Sequence, residues 1–400
     1  MAQAPPSDAS TSFDHNDPAF VADPYPTYAE MRAHRPVLHS DRYQGYWVLS
    51  RYDDVRRGLL DWGTFSSATP GTTSIPVSVR RTFNEIPLEV DPPEHTRYRA
   101  IVNRWFAKAT VERLEPRIRS IAAELVDAVA AAEECDLVQD FALPLVGRSL
   151  AVFLHLPQSE APRWIAWMED IFHGRLHDPA RADRASRELI HYLDGLAADR
   201  RRAPRDDFFG LLATATFDGR PLTDLEIRGY TVVTFTAGHE TTVNGIGNSL
   251  WHLSEHPEDR ARLLAEPALF PTAIEEFLRH MSPIQLLGRN ATCDVELHGE
   301  TIRRGDVVAM SYGSANRDDR AFADADRCVI DRHPNRHLAF GTGPHACLGA
   351  HLARLEMRVA LEEILRRLPD YEVADASRLR PTPHGDLRGF WSLPARTRGR

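Results

Sequence analysis

Apolar residues along most of this chain recur at spacings of three and four, the period that gathers side chains on one face of an α-helix. Residues 110–132 place Leu114, Ile118, Ile121 and Leu125 on one such face, and Pro116 falls early enough for a single helix to tolerate it. The same period returns near the C-terminus at Leu348, Leu352, Leu355 and Val359. Strand-like runs are short: residues 46–50, 295–297 ahead of a His298-Gly299 turn, and 306–310. The pattern predicts a mainly α fold with small β-sheets, including a small β-rich lobe near the N-terminus. Two stretches, 64–90 and 172–188, are rich in Thr, Ser, Pro, Arg and Asp and break the period. Irregular connections of that length usually cover or admit a ligand. Residues 1–18 mix Pro, Ser, Asp, Thr and Asn without an apolar core, so they read as a flexible tail ahead of a single domain over 19–400.

One predicted helix stands apart. It runs from about 223 to 255, with Thr223 or Asp224 as N-cap, and at about 1.5 Å per residue would be roughly 50 Å long. Its centre, Thr236-Ala237-Gly238-His239-Glu240-Thr241-Thr242 followed by Gly245 and Gly247, is poor helix material, since each glycine costs about 1 kcal/mol relative to alanine. Small residues there serve either close helix packing or a ligand lying flat against Ala237 and Gly238. Thr241, one turn beyond Ala237, can aim its hydroxyl at that carbonyl and locally open the hydrogen-bond ladder to water. A hydroxyl beside the Glu240 carboxyl suits proton delivery. The His239-Glu240 pair also begins a zinc-protease motif, but Val243 stands where the second histidine belongs.

Charge and composition narrow the field. With 48 basic and 57 acidic residues the formal charge is −9, which gives no reason to expect nucleic acid. Four scattered cysteines, Cys135, Cys293, Cys328 and Cys347, read as reduced thiols of a cytoplasmic protein. No apolar run was expected to reach the roughly 18 residues that span a bilayer, so no membrane partner is implied.

Cys347 is the most informative of these. It sits in Phe340-Gly341-Thr342-Gly343-Pro344-His345-Ala346-Cys347-Leu348-Gly349, where glycines remove bulk and let backbone N–H groups approach a sulfur at the positive end of the following helix. Two other sites imitate this loop. Gly341, Gly343 and Ala346 resemble a dinucleotide fingerprint, but Pro344 lacks a donor and no strand-helix-strand unit follows. Cys347, His351 and His345 suggest zinc, without a partner pair at matching spacing.

At these residues the chain resembles the cytochrome P-450 haem-thiolate monooxygenases, whose signature Phe-Gly-x-Gly-x-His-x-Cys-x-Gly is filled at every fixed position. The resemblance extends from Asp23-Pro24-Tyr25 to Leu393-Pro394. It implies haem b (iron protoporphyrin IX) with Cys347 as the iron ligand and Gly349 beside the sulfur. It also implies Ala237 against the macrocycle, and Thr241 and Glu240 as the catalytic proton relay. His95 and Arg99, in Asp91-Pro92-Pro93-Glu94-His95-Thr96-Arg97-Tyr98-Arg99, match propionate positions, as do Arg289 and His345. Glu276, Arg279 and Arg332 match the family's Glu-x-x-Arg network; by spacing alone the first two would be a solvated surface pair. Asp319 and Ala325, where the family often has proline, and Cys328, where it often has Phe, depart from the pattern.

The implied reaction inserts one oxygen atom of O2 into a small or medium apolar organic substrate. After the thiolate helix only about 45 residues remain, too few for a flavin or iron-sulfur module, so electrons are expected from a ferredoxin or flavodoxin with its NAD(P)H reductase. Arg104, Lys108, Arg113 and Arg354 offer an acidic carrier a docking face. By family position the pocket lining comprises 64–90, 172–188, Ala237, Thr241, residues 284–287, Phe390 and Trp391. Two rivals remain: a peroxygenase driven by hydrogen peroxide, for which the relay is superfluous, and a non-catalytic haem sensor or carrier.

Overall fold

The segment of lowest helix propensity forms the longest helix, Asp224–Glu255, 32 residues without interruption. Tertiary burial overrides the local cost, and the start is firmly capped. The Thr223 hydroxyl accepts from the Glu226 N–H at 3.2 Å while the Glu226 carboxylate accepts from the Thr223 N–H at 2.6 Å, a capping box. The computed structural model describes residues 13–75 and 82–397, and 56% of the chain is helical. Leu143–Leu154, Pro179–Arg202 and Ala350–Arg367 pack around the long helix, and the largest apolar core fills the spaces between them.

The glycines of the long helix divide between the two readings. A Cβ on Gly245 would lie 3.1 Å from Met357 Sδ and one on Gly247 would lie 3.2 Å from a Val138 methyl, so these two serve close packing. Nothing approaches a Cβ on Gly238 nearer than 4.0 Å. The helix is therefore crowded beyond Thr241 and open around Ala237 and Gly238.

The five-stranded sheet takes strands from both halves of the chain, in the order Val37–Ser40, Tyr46–Leu49, Val307–Ser311, Leu286–Ala291, Phe65–Ser66. Tyr46–Leu49 and Val307–Ser311 run parallel and the other pairs antiparallel. The β-rich lobe expected near the N-terminus is thus completed by residues 286–311.

Four expectations need correction. The single helix over 110–132 is two, Lys108–Glu112 and Glu115–Ala130, because Pro116 lies in the first turn of the second, where its missing N–H costs nothing. The irregular 172–188 connection is instead the junction of Ala161–His177 and Pro179–Arg202. Only Asp178 separates them, and its carboxylate caps the second helix. Residues 13–17 of the expected tail are anchored: His15 is buried, with ring nitrogens 2.8 Å from the Tyr46 hydroxyl and 2.9 Å from the Ile75 carbonyl. Residues 1–12, and 76–81 of the 64–90 stretch, lie outside the described residues. Finally, Leu137–Leu154 is long and apolar enough to cross a membrane, with a mean hydropathy of 1.5 over 18 residues, but 78% of it is buried in protein, as befits a core helix.

The Glu276–Arg279 pair is not a surface contact. Both side chains are fully buried, and the Arg279 fork donates twice to Glu276 at 2.8 Å. Its remaining hydrogens reach the carbonyls of Asn316, Ala325 and Arg327, each at 2.7 Å. Arg332 adds a third member at 3.0 Å from both Glu276 oxygens. The trio thereby clamps the irregular segment that leads to Cys347. Glu276→Gln leaves two guanidiniums under-compensated and should cost about 3–5 kcal/mol of stability in urea unfolding; a loss below about 1 kcal/mol would mean the pair is dispensable to the fold.

Candidate active site

Backbone geometry delivers the thiol. Gly341 and Gly343 adopt φ of 66° and 73°, a region that penalises any side chain. The Cys347 N–H closes the loop on the Phe340 carbonyl at 2.7 Å. The helix begins at Ala350 with Gly349 as its cap residue, so the N–H groups of Gly349 and Ala350 point back at the sulfur. Burial raises the thiol pKa, against the pull of those N–H groups and of Arg99 and Arg354. Cys347 nevertheless carries open surface. A sulfur surrounded like a core atom yet open on one side faces an enclosed space. Ala237 is likewise exposed although it lies mid-helix between buried Phe235 and His239.

Beside the thiol lies a set of donors with too few acceptors. His95 is 2% exposed and neither ring nitrogen has a partner among the described residues. Burial, then His345 and Arg99, lowers its pKa to about 4, so the ring is neutral. The His345 ring lies 4.3 Å from it, centroid to centroid, and its Nδ1 is also unpartnered. Arg99 reaches the Pro344 carbonyl at 3.2 Å and buried Arg289 the Gly288 carbonyl at 2.7 Å, and neither makes an ion pair with a described carboxylate. Buried guanidiniums and imidazoles left in this state call for anionic oxygens. These four side chains, with Arg99 only half-buried, match the two carboxylates of a haem. His95 and Arg99 come from one helix face, Arg289 from a sheet strand and His345 from the thiolate loop.

On the long helix the Thr241 hydroxyl donates to the Ala237 carbonyl at 2.9 Å, as its spacing predicts. Glu240 is 4% exposed, and burial pushes its pKa up to about 7, against the pull of Arg175. His239 points into the core with both nitrogens unpartnered and plays no part beside them. Among the described residues no three His, Cys, Asp or Glu side chains cluster as a metal site, which removes the zinc reading of Cys347.

Other expected positions are less uniform. Ile284 bridges to Leu387, a neighbour that no sequence pattern flagged. Phe390 packs on Trp251, and Trp391 stacks on His173 at 3.8 Å. Arg104, Lys108 and Arg113 are exposed, whereas Arg354 is engaged by Glu275 through two bonds of 2.6 and 2.7 Å and is no free cation.

The cytochrome P-450 family model matches residues 180–392. Cytochrome P-450-terp of a Pseudomonas species is 34% identical over 385 residues, covering 89% of each chain. The cytochrome P-450 monooxygenase PikC of Streptomyces venezuelae is 36% identical over 386 residues, 95% of this chain and 92% of that one. The solved structure of CYP109E1 from Bacillus megaterium in complex with testosterone superposes with a TM-score of 0.86 at 32% identity, over 95% of this chain and 99% of that one. The chain belongs to the cytochrome P-450 family. It is an oxidoreductase of the monooxygenase kind, and its cofactor is haem b, which the family holds through a cysteine thiolate.

The position of Glu240 has a measurable consequence. Its carboxyl titrates near 4.5 unfolded and about 7 folded, so its contribution to stability is complete below pH 4.5 and is lost as pH rises through 7. Glu240→Gln has no such loss, and its stability relative to the parent should improve by up to about 3 kcal/mol between pH 4.5 and pH 8. Parallel urea-unfolding curves at all pH values would show that the buried acid is not in that state.

Proposed function

We propose that this protein inserts one oxygen atom of O2 into a small or medium apolar organic substrate, the other leaving as water. We assign it a single haem domain that includes the anchored residues 13–18, in the cytoplasm, receiving electrons from a separate ferredoxin or flavodoxin served by an NAD(P)H reductase. The observation that carries the reading is one thiol, ringed by backbone N–H groups, beside four donors, His95, Arg99, Arg289 and the Nδ1 side of His345, that face no carboxylate among the described residues. Haem supplies the iron at which dioxygen is reduced, with a thiolate ligand that favours O–O cleavage.

The chain's own residues divide the remaining work. Cys347 is the iron ligand, and the N–H groups of Gly349 and Ala350 moderate its charge. His95, Arg99, Arg289 and His345 hold the two propionates. Ala237 and Gly238 leave room for the macrocycle and a substrate. Glu240, largely protonated below about pH 7, holds a transferable proton, and Thr241 orients the water that passes it on. Ile284, Leu287 and Ala237 give an apolar lining, and the Bacillus megaterium relative solved with testosterone supports an apolar substrate of moderate size. A hydroxyl–carboxyl pair serves dioxygen and is superfluous for peroxide, which favours the monooxygenase over the peroxygenase, and over a sensor that needs no relay.

Thr241→Ala tests the relay: NADH consumption should continue while product per NADH falls several-fold and hydrogen peroxide accumulates. Full coupling in that variant rejects the assignment. Lys108→Glu with Arg113→Glu tests the carrier: the KM for reduced ferredoxin should rise several-fold with kcat little changed, and an unaltered KM places the docking face elsewhere.

A further inference from the structure

Asp91 opens the Asp-Pro-Pro stretch, yet neither the thiolate nor the relay accounts for it. It stands three residues before the helix Glu94–Phe106, which carries His95 and Arg99. Its carboxylate turns away from that helix toward the end of the strand Phe65–Ser66. There it accepts the Ser66 hydroxyl, the Ser67 N–H at 3.1 Å and the Ser67 hydroxyl at 3.3 Å. Burial works against the charge, but hydrogen bonds from His345, Ser66 and Ser67 outweigh it and hold Asp91 below its ordinary value.

The same cage reaches His345. Its Nε2 lies 3.2 Å from Ser67 Oγ and 3.8 Å from Asp91 Oδ1, while Nδ1 on the other side of the ring has no partner. Ser66 in turn pairs in the sheet with Asn290, next to Arg289. The cage therefore sits at the seam where the strand bearing Arg289, the helix bearing His95 and Arg99, and the thiolate loop meet. In a histidine the hydrogen bond at one ring nitrogen fixes the ring and decides what the other presents.

We propose that Asp91, with Ser66 and Ser67, is a positioning group that holds the His345 ring with Nδ1 facing the propionate cradle. It never touches the haem and acts through His345, and the inference rests on the cradle assigned above. Without the cage the ring turns freely about its side-chain bond, and one of four donors is lost to the carboxylates. The cage also ties the start of the 64–90 segment to the loop that carries Cys347, so displacement of that segment reaches the haem through a single imidazole.

The test is a double-mutant cycle on the haem-loaded protein with Asp91→Asn, His345→Ala and their combination. Two quantities are read: the rate of haem transfer to a haem-free globin and the ferric/ferrous midpoint potential. Asp91→Asn should speed haem transfer about tenfold and shift the potential, and both effects should vanish in the His345→Ala background. Ser67→Ala, which leaves the charge in place, should act in the same direction on haem transfer, and it carries the comparison if Asp91→Asn does not take up haem. Full additivity overturns the inference, because Asp91 would then act independently of His345; so does an Asp91→Asn protein with parental haem transfer and potential. If His345→Ala alone changes neither quantity, the cradle reading falls and this inference with it.

Discussion

Everything in this structure depends on holding one sulfur in a dry, enclosed place with donors aimed at it. A thiol buried in that way prefers its proton, and burial does raise Cys347. The fold opposes burial with two backbone N–H groups and two guanidiniums, and a bound metal ion completes the reversal, because a coordinating thiol is deprotonated outright. None of this works unless the loop is rigid. Its left-handed residues are glycines, and the chain upstream is fixed by Arg279, whose guanidinium spends three hydrogen bonds on carbonyls of residues 316–327. The familiar surface ion pair of helix i, i+3 spacing is here a buried pin, with five donors converging on Glu276.

What could be read from the chain follows from how local each signal is. The thiolate loop was legible because its geometry is written in consecutive residues, and the long helix because its period and Thr223 cap survive an unfavourable centre. The short strands at 46–49 and 307–311 were visible as isolated runs, but their adjacency in one parallel pair was not, since register is a long-range property. The 172–188 stretch misled because polar, charged residues suited an irregular loop equally well, and the Asp178-Pro179 start signal was outweighed by composition. The Asp91 cage had no signal at all beyond Asp91 itself, because Ser66 and Ser67 meet it only after the sheet has formed.

Arg354 shows the same limit from the other side. As a sequence position it is a cation near the thiolate and suits an acidic partner. In the structure Glu275 takes the Nε–Nη2 edge of its guanidinium and the Phe340 ring lies against its face, so its charge steadies the site instead of reaching outward. The exposed cations that remain on the proposed docking face are Arg104, Lys108 and Arg113, whose contacts are weak, such as the 3.6 Å Lys108–Glu112 pair.

Two glutamates define how the protein separates structural from chemical charge. Glu275 is largely buried, and burial alone would raise its pKa; Arg354 and His337 outweigh that and hold it at about 2. Glu240, on the long helix, is buried more deeply, but it receives no direct guanidinium, and desolvation carries it to about 7. The same side chain is thus a permanent anion where an arginine pins it and an acid that titrates near neutrality where burial acts alone, which is the state the proposed relay requires. The difference lies in one engaged arginine. Arg175, which acts on Glu240 from a distance, gives its short ion pair to Asp386 instead. Had Arg175 closed on Glu240, the acid would titrate far below neutrality and hold no proton to give. Leaving Glu240 buried without a close guanidinium costs stability as pH rises through 7, and the same desolvation is what would keep its proton available to the proposed relay.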